Sequence, residues 1–195
     1  MPSDPTPPRR LVVGMSGSSA PQVGIALLEA LHDRADVETH LVISEGARRS
    51  LQLEAGVDAE HVAKLADYAY DSRDLAASIS SGSFFTDGMV VIPCSMRSLS
   101  AIATGNSADL LTRAADVTLK ERRRLVLVTR ETPLNLIHIR NMETVTLAGG
   151  TIFPPVVGFY HRPKTIDDIL SQIVGKVLDQ FAIPHTLFRR WVSPE

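Results

Sequence analysis

The stretch Leu11-Val12-Val13-Gly14-Met15-Ser16-Gly17-Ser18-Ser19-Ala20-Pro21 decides the fold of this chain. Residues 11–15 are almost entirely apolar and predict a buried strand, and residues 21–32 have the apolar spacing of a helix. Between them lies a turn of small residues at a helix N-terminus, where backbone N–H groups favour an anion. The stretch therefore predicts either a phosphate-binding turn or a helix start capped by serine.

The composition indicates one globular domain. The 195 residues are 44% hydrophobic and 22% charged with a net charge of −2, and no linker divides them into halves that could each fold alone. We expect residues 1–9 to form a disordered tail and residues 10–195 to form a single domain. The nearly neutral charge gives no electrostatic reason to expect nucleic acid as a partner.

The cysteine and histidine content and the hydropathy of the chain indicate its cellular location and whether it binds a metal. One cysteine allows no internal disulfide, and the six histidines lack the close spacing of a zinc site, so we expect no metal. No leader-like segment opens the chain and no apolar run reaches membrane length, so we expect no membrane partner and a cytoplasmic location. Cys94 has no base beside it in sequence, which favours a packed thiol over a nucleophile.

Strand and helix patterns alternate along the chain. Strands are predicted at residues 11–15, 38–44, 88–93, 125–129 and 151–153. Helices are predicted at residues 21–32, from 45 or 46 onward, 109–121, 133–147 and from 165, with a short helix face at Val62, Leu65, Ala66 and Ala69. This alternation predicts an α/β fold, a doubly wound parallel sheet with helices on both faces in three layers.

The final helix has the clearest pattern. Thr165 and Asp168 match a capping box with Asp in place of the usual Glu. Its predicted buried face consists of Ile166, Ile169, Leu170, Ile173, Val174, Val177, Leu178 and Phe181. Lys176 lies at the edge of this face, either as a lysine whose charged end reaches solvent or as a ligand-binding group.

Four turns are candidates for a ligand site, because ligands of doubly wound sheets lie beyond the carboxyl ends of the strands. The turns are residues 16–20, 44–46, 93–98 and 129–132. The dinucleotide fingerprint G-x-G-x-x-G is absent from the first of them, which argues against a dinucleotide site.

Charged groups near these turns are candidate anion ligands. Arg113 and Lys120 are seven residues apart, which places them on one helix face with their Cα atoms roughly 10 Å apart. Arg130 and Glu131 directly follow a strand, where Arg suits a phosphate and a carboxylate can relay a proton. The arginine run at 122–124 is typical of a solvated basic face.

Eight segments of the chain resemble the UbiX-type flavin prenyltransferases, and especially the B subunits that accompany phenolic acid decarboxylases. They are GMSGSS (14–19), ISSGSF (79–84), VIPCSM (91–96), LTRAAD (111–116), LKER (119–122), TRETPLN (129–135), GFYH (158–161) and residues 184–191. The likeness covers nearly the whole chain from Arg10.

That resemblance implies a flavodoxin-like, Rossmann-like flavoprotein. It further implies an enzyme that joins the dimethylallyl group of dimethylallyl monophosphate to reduced FMN and supplies prenylated FMN to a UbiD-type decarboxylase. The family forms a homododecamer with sites shared between subunits and needs no metal.

The resemblance also implies roles for particular residues. FMN would be held by Gly17, Ser18, Ser19, Ser44, Ser95, Met96, Arg97, Ser98 and Arg113. The prenyl phosphate would be held by Lys120, Arg130, Tyr160 and Lys176. Ser19 and Glu131 are the candidates for proton transfer, and Trp191 either lines the prenyl pocket or packs in the core.

Two positions depart from the family pattern. Ala20, followed by Pro21, stands where the family usually has Gly. Glu45 stands after Ser44 where many relatives have Lys or a neutral residue, and its carboxylate either weakens a phosphate contact or points to water.

Two other functions stay open at this point. One is an FMN-dependent cysteine-type decarboxylase, although the Pro-Ala-Ser-Ala-Asn-Thr signature of that class is replaced by Pro-Cys-Ser-Met-Arg-Ser at residues 93–98. The other is a non-catalytic FMN-binding subunit of a decarboxylase, which has no use for a second phosphate site.

Overall fold

The structure, a computed structural model, describes residues 7–191. Its strands are β1 (Arg9–Met15), β2 (Val37–Ile43), β3 (Tyr68–Tyr70), β4 (Gly88–Cys94), β5 (Arg124–Thr129) and β6 (Thr151–Ile152). Its helices are α1 (Gln22–Leu31), α2 (Glu45–Ser50), α3 (Ala59–Ala63), α4 (Met96–Ala103), α5 (Leu110–Lys120), α6 (Leu136–Leu147) and α7 (Ile166–Gln180). A π-helical turn at Leu51–Ala55 follows α2, and a 3₁₀ turn lies at Ser78–Ser80.

The strands form one parallel sheet in the order β3-β2-β1-β4-β5-β6. Met15 at the end of β1 lies beside Ile43 of β2, and Cys94 at the end of β4 lies beside Thr129 of β5, so the carboxyl ends share one edge. The chain builds outward from β1 to β3 and then continues from β4 in the other direction. The predicted doubly wound fold is confirmed, and its crevice lies between β1 and β4, where the strand order reverses.

Helices cover both faces of the sheet, which explains why the central strands are apolar without alternation. On one face Val13 packs in a cluster with Leu27 of α1 and Val177 of α7. On the other face Val91 packs in a cluster with Leu111 of α5. The three predicted layers are therefore present, and they hold the strand ends at a common edge.

The prediction missed one strand. Ala69, predicted on a short helix face, lies in the edge strand β3 instead, and the sheet has six strands rather than the five predicted. Tyr68 and Ala69 are exposed and Tyr70 is half-buried, so β3 carries no apolar run from which a strand is recognised. Only the part of the predicted helix around Val62 exists, as α3.

Three boundaries also differ from the predictions. Arg9, predicted in the tail, pairs with Val37 in the sheet, whereas residues 1–6 of the predicted tail lie outside the described residues. The helix predicted from residue 133 begins at Leu136, because Asn135 caps it. Ile166 is predicted on a buried face but is 75% exposed, since the first turn of α7 extends past the core.

Among residues 7–191, no helix is long and apolar enough to cross a membrane. In the same range no three His, Cys, Asp or Glu side chains are grouped as metal ligands.

Candidate active site

The turn after β1 is pressed against the turn after β2. A Cβ atom on Gly17 would lie 2.8 Å from both the Cα and the carbonyl carbon of Gly46, closer than real Cβ atoms approach. Only a residue without a side chain fits at position 17. The predicted phosphate-binding turn therefore lies directly against the start of α2.

Two serines join the β1 turn to the ends of β4 and β5. The buried Ser16 hydroxyl donates to the Pro93 carbonyl at 3.1 Å and accepts from the Ser95 N–H at 2.8 Å. The Ser18 hydroxyl donates to the Arg130 carbonyl at 3.1 Å. With the Gly17 contact, these bonds bring all four predicted turns together at one edge of the sheet.

Serines also cap two of the helices that start at this edge, α2 and α4. Ser44 Oγ accepts from the Ala47 N–H at 3.2 Å, and Ser95 Oγ accepts from the Ser98 N–H at 3.2 Å. A serine cap satisfies one N–H of the first turn and leaves others at the helix start to meet an anion. The exposed Glu45 lies in the first turn of α2, and its side chain faces solvent.

Glu54, which the sequence did not mark, holds the far end of the β1 turn. Its Oε2 accepts from the Ser19 hydroxyl at 2.8 Å and from the Ala20 N–H at 3.0 Å. Ala20 has a φ of 66°, a left-handed conformation that glycine adopts most easily, which accounts for the glycine usual in the family. Ser19 and Glu54 are 35 positions apart, so no local pattern reveals their contact.

The residues at this edge fit a flavin mononucleotide. Thr129, at the end of β5, is 3% exposed, and its hydroxyl has no hydrogen-bond partner among the residues that the structure describes. Buried hydroxyls are rarely left unpaired, so this one calls for a polar ligand group. The close approach at Gly17 and the two capped helix starts provide the matching place for a phosphate.

Arg113 and Lys120 project from α5 onto the segment 79–84. Arg113 Nε donates to the Ser80 carbonyl at 3.1 Å. Lys120 forms an ion pair with Glu121, and its Nζ would lie 2.7 Å from a Cβ on Gly82. The two cations therefore share one helix face, as their spacing predicts.

Arg123 is not the solvated residue that its place in an arginine run predicts. Its Nη1 donates to the Phe84 carbonyl at 2.9 Å, and its Nη2 donates to the Gly82 carbonyl at 2.7 Å. The guanidinium instead ties the segment 79–84 to the end of α5, whereas Arg122 and Arg124 are exposed.

A cavity of about 350 Å³ lies between α7 and the loop that precedes it, apart from the four turns. It is lined by Phe153, Pro154, Val156, Val157, Gly158, Tyr160, Gln172, Ile173 and Lys176. The Tyr160 hydroxyl accepts from Gln172 Nε2 at 3.1 Å, and the Trp191 ring lies edge-on to Tyr160 with the ring centroids 6.2 Å apart. Tyr160, Lys176 and Trp191 are thus brought together, and we call this the Tyr160–Lys176 cavity.

Arg130 and Glu131 lie at the edge formed by the four turns. Arg130 is half-buried, and Glu131 is exposed with Oε1 accepting from the Thr132 N–H at 3.1 Å. Within the described chain, neither Lys120 nor Arg130 lines the Tyr160–Lys176 cavity. A single chain therefore does not gather the four predicted phosphate ligands.

The residues that follow β4 divide between the core and the surface. Met96 is half-buried against the core on the α5 side of the sheet. Arg97 and Ser98 line a further cavity of about 290 Å³ that reaches Asp109 and Thr112.

Cys94 is fully buried, and desolvation raises the pKa of its thiol to about 12. The prediction of a packed thiol is confirmed.

Known proteins resemble this chain in sequence and in fold. The chain matches the Flavoprotein family over residues 2–178. It is 55% identical to the flavin prenyltransferase UbiX of Escherichia coli K12, over 94% of this chain and 98% of that protein. Its fold matches AnUbiX (PadA1) in complex with FMN and dimethylallyl pyrophosphate with a TM-score of 0.93 and 50% identity, over 96% of this chain and 100% of that chain. It also matches a dodecameric FMN-dependent UbiX-like decarboxylase from Escherichia coli O157:H7 with a TM-score of 0.92 and 49% identity, over 94% of this chain and 100% of that chain.

The doubly wound sheet and its joined strand-end turns define a flavoprotein domain of the flavodoxin-like class. The resemblance carried by the motifs is confirmed at the level of the whole chain. This chain belongs to the UbiX family of flavin prenyltransferases.

FMN-dependent cysteine decarboxylases share only the fold with this chain. TvaF from thioviridamide biosynthesis matches with a TM-score of 0.65 but with 15% identity. That likeness shows a common fold and does not support cysteine decarboxylase activity in this chain.

Proposed function

We propose that this chain transfers the dimethylallyl group of dimethylallyl monophosphate to reduced FMN and releases prenylated FMN. The observation that carries the proposal is that the joined turns and the Tyr160–Lys176 cavity are two separate features, which we assign to two different ligands. A subunit that only stores FMN needs no second site with a cation, a phenol and apolar walls. The structure of the relative AnUbiX (PadA1), which contains FMN and dimethylallyl pyrophosphate, supports an assignment to two small-molecule ligands.

The FMN site in this proposal is the edge where the four turns meet. Its members are Gly17, Ser18, Ser19, Ser44, Ser95, Met96, Arg97, Ser98 and Arg113, and the unpaired Thr129 hydroxyl supplies one further polar contact. When bound and reduced, FMN supplies the electron-rich ring that accepts the prenyl group. The chain contributes binding and orientation there, because the turns are held rigidly by the Ser16 and Ser18 hydrogen bonds.

The prenyl phosphate belongs to the Tyr160–Lys176 cavity. Val157, Ile173 and Phe153 provide apolar walls for the hydrocarbon, while Lys176 and the Tyr160 hydroxyl provide donors for the phosphate. Departure of the phosphate leaves positive charge on the allyl group and negative charge on the leaving group. Cationic and phenolic donors at the phosphate, with the Trp191 ring beside Tyr160, lower the energy of that separation.

Ser19 and Glu131 are the residues that we assign to proton transfer. Ser19 Oγ donates to Glu54, so its own lone pairs are left to accept a proton from a ligand. Glu131 is exposed at the end of β5 and has a free carboxylate oxygen beyond its bond to the Thr132 N–H. The Glu131 carboxylate beside Arg130 would take up the proton released from the flavin and pass it to the leaving phosphate.

A second copy of the chain completes the site in this proposal. Helix α6 buries only Val145, and it exposes Leu136, Ile137, Ile139 and Leu147 to at least half of their area. An apolar surface of that kind is typical of a subunit interface. The UbiX-like decarboxylase matched above is dodecameric, which supports a homododecamer in which Lys120 and Arg130 reach the cavity of a neighbour.

The product would be consumed by a UbiD-type decarboxylase in the cytoplasm. A prenylated flavin has no role in the transfer reaction itself, so another enzyme must use it as a cofactor. The single buried cysteine is compatible with a reducing compartment.

The direct test is the mass of the flavin. Purified protein is incubated with FMN, a reductant and dimethylallyl monophosphate, and the released flavin is measured by mass spectrometry. A flavin heavier by one prenyl unit supports the proposal, whereas bound FMN of unchanged mass favours the FMN-binding subunit instead. Release of carbon dioxide from a peptide with a C-terminal cysteine would favour the cysteine decarboxylase.

A further inference from the structure

The segment that follows α7, residues 182–191, is held against the helix by Asp179. Asp179 Oδ1 accepts from Arg190 Nη2 at 2.7 Å and faces His185 Nε2 at 3.1 Å. Its Oδ2 accepts from Arg190 Nη1 at 3.1 Å and lies 3.5 Å from Lys176 Nζ. The Arg190 pair is bidentate and charge-assisted, the strongest form of such a contact. We call residues 182–191 the C-terminal segment.

The surface of α7 is shaped to receive this segment. A Cβ atom on Gly175 would lie 2.6 Å from ring atoms of both His185 and Phe188, so any side chain at position 175 would push the segment away. At its start the segment is fixed a second time, because Arg34 Nη1 donates to the Pro184 carbonyl at 2.8 Å. The course of the segment is therefore set at both ends.

The Asp179–Arg190 pair sets the position of Trp191, because Trp191 follows Arg190 directly. The indole ring meets the Tyr160 ring edge-on, with an interplanar angle of 88°. Tyr160 lines the cavity that we assign to the prenyl donor, so the indole packs against one wall residue of that cavity. The weaker contact between Lys176 and Asp179 leaves the Lys176 ammonium available to a phosphate.

We propose that Asp179 is a positioning residue for prenyl transfer, which holds the C-terminal segment on α7 through Arg190 so that Trp191 closes the Tyr160–Lys176 cavity around the prenyl group. Asp179 itself touches no reacting atom. This inference rests on the proposed function, since it concerns the same cavity.

The test compares the wild-type chain with three variants, each of which carries a single substitution. Asp179→Asn keeps the shape of the side chain and removes its charge, and Arg190→Met removes only the anchor of the segment. Arg190 is more than half exposed, so its loss leaves the core intact. Asp167→Asn, on an exposed position of the same helix, is the matched control.

The first readout is independent of catalysis. Trp191 is the one tryptophan of the sequence, so the decay of tryptophan fluorescence anisotropy reports the motion of this segment alone. We expect a faster local decay in Asp179→Asn and Arg190→Met and an unchanged decay in Asp167→Asn. An unchanged decay in Arg190→Met would overturn the proposal.

The second readout separates binding of the two substrates. We expect the KM for dimethylallyl monophosphate to rise on the order of tenfold in Asp179→Asn and in Arg190→Met, as for the loss of a charge-assisted hydrogen bond, with the Kd for FMN unchanged. A raised KM in Asp179→Asn with a normal KM in Arg190→Met would show that Asp179 acts through Lys176 alone, and would overturn the anchoring role. If the wild-type protein transfers no prenyl group, the proposed function fails, and the anisotropy comparison still decides whether the anchor exists.

Discussion

Glu54 Oε2 accepts a hydrogen bond from the Ser19 hydroxyl at 2.8 Å. Because the hydroxyl proton is directed to Glu54, the Ser19 oxygen presents its lone pairs to a ligand at the β1 turn. The same carboxylate oxygen accepts from the Ala20 N–H at 3.0 Å and so stabilises the left-handed residue that ends the turn. In the proposed function, Ser19 and Glu54 would together form a path by which a proton leaves the flavin.

We expect Ser19→Ala and Glu54→Ala each to lower kcat for prenyl transfer by roughly 10²-fold, the lower range for loss of a proton-transfer group. Because the two residues act in series, the double variant should lose no more than either single variant. Single-turnover rates of flavin prenylation measure the effect, with the exposed Glu29→Ala as the control. Additive losses would contradict a shared proton path.

Gly17→Ala should raise the Kd for FMN by at least about tenfold, because its Cβ would force the β1 turn away from Gly46. Gly149→Ala is the control. It introduces a Cβ into open space at a φ of +99°, so it should lower the free energy of unfolding by about 1–3 kcal/mol while the Kd for FMN stays the same. Fluorescence titration of FMN measures both. Equal Kd values for Gly17→Ala and wild type would argue against FMN at this turn.

Tyr160→Phe and Lys176→Met should keep the Kd for FMN and lower the rate of prenyl transfer by about 10²-fold or more, because they remove donors to the leaving phosphate. Lys164→Met, an exposed lysine before α7, serves as the control for the loss of one positive charge. Flavin mass and FMN titration are measured on each variant. Loss of FMN binding in either variant would mean that the substituted residue belongs to the FMN site and not to the prenyl phosphate site.

Asp179 should add stability that is lost in acid. The Arg190 pair lowers the pKa of Asp179 from 3.8 to about 2. Because the folded pKa lies below the unfolded value, this stability is present above pH 4 and is lost as the pH falls from about 4 to about 2. We expect Asp179→Asn to lower the free energy of unfolding by about 1–2 kcal/mol at pH 7, with solvent screening taken into account, and by less at pH 3. Urea titrations at both pH values measure the difference, and an equal difference at both would contradict it.

Ile137→Glu should dissociate the proposed oligomer without unfolding the chain. Ile137 is 68% exposed on α6, so a charge there is harmless in a monomer but is buried in an interface. Sedimentation velocity should show smaller species, while circular dichroism stays that of the wild type. Glu29→Lys, a charge change at an exposed position of α1, should leave the sedimentation coefficient unaltered. An intact oligomer in Ile137→Glu would place the interface elsewhere.

Much of the candidate site could be predicted from local sequence patterns. Apolar runs that end in Ser or Gly marked the strand ends, and the parallel sheet then required those ends to share an edge, which is why Ser16 and Ser95 could be expected together. The spacing of Arg113 and Lys120 also predicted that they share a helix face, because the position of a residue around a regular helix depends only on sequence separation.

The tertiary structure alone decided the contacts between distant positions. Glu54 meets Ser19, and Asp179 meets Arg190 around the end of α7, and neither pair belongs to a periodic pattern. Strand β3 was not predicted, because an exposed edge strand has no apolar run. The hydrogen bonds of Arg123 were not predicted, because their acceptors are backbone carbonyls, which have no sequence signature. The order of buried and exposed residues along the chain determined the layers and the ligand edge, because burial is periodic in regular structure. The side chains that hold the turns and the C-terminal segment were determined only when packing brought them within hydrogen-bond distance.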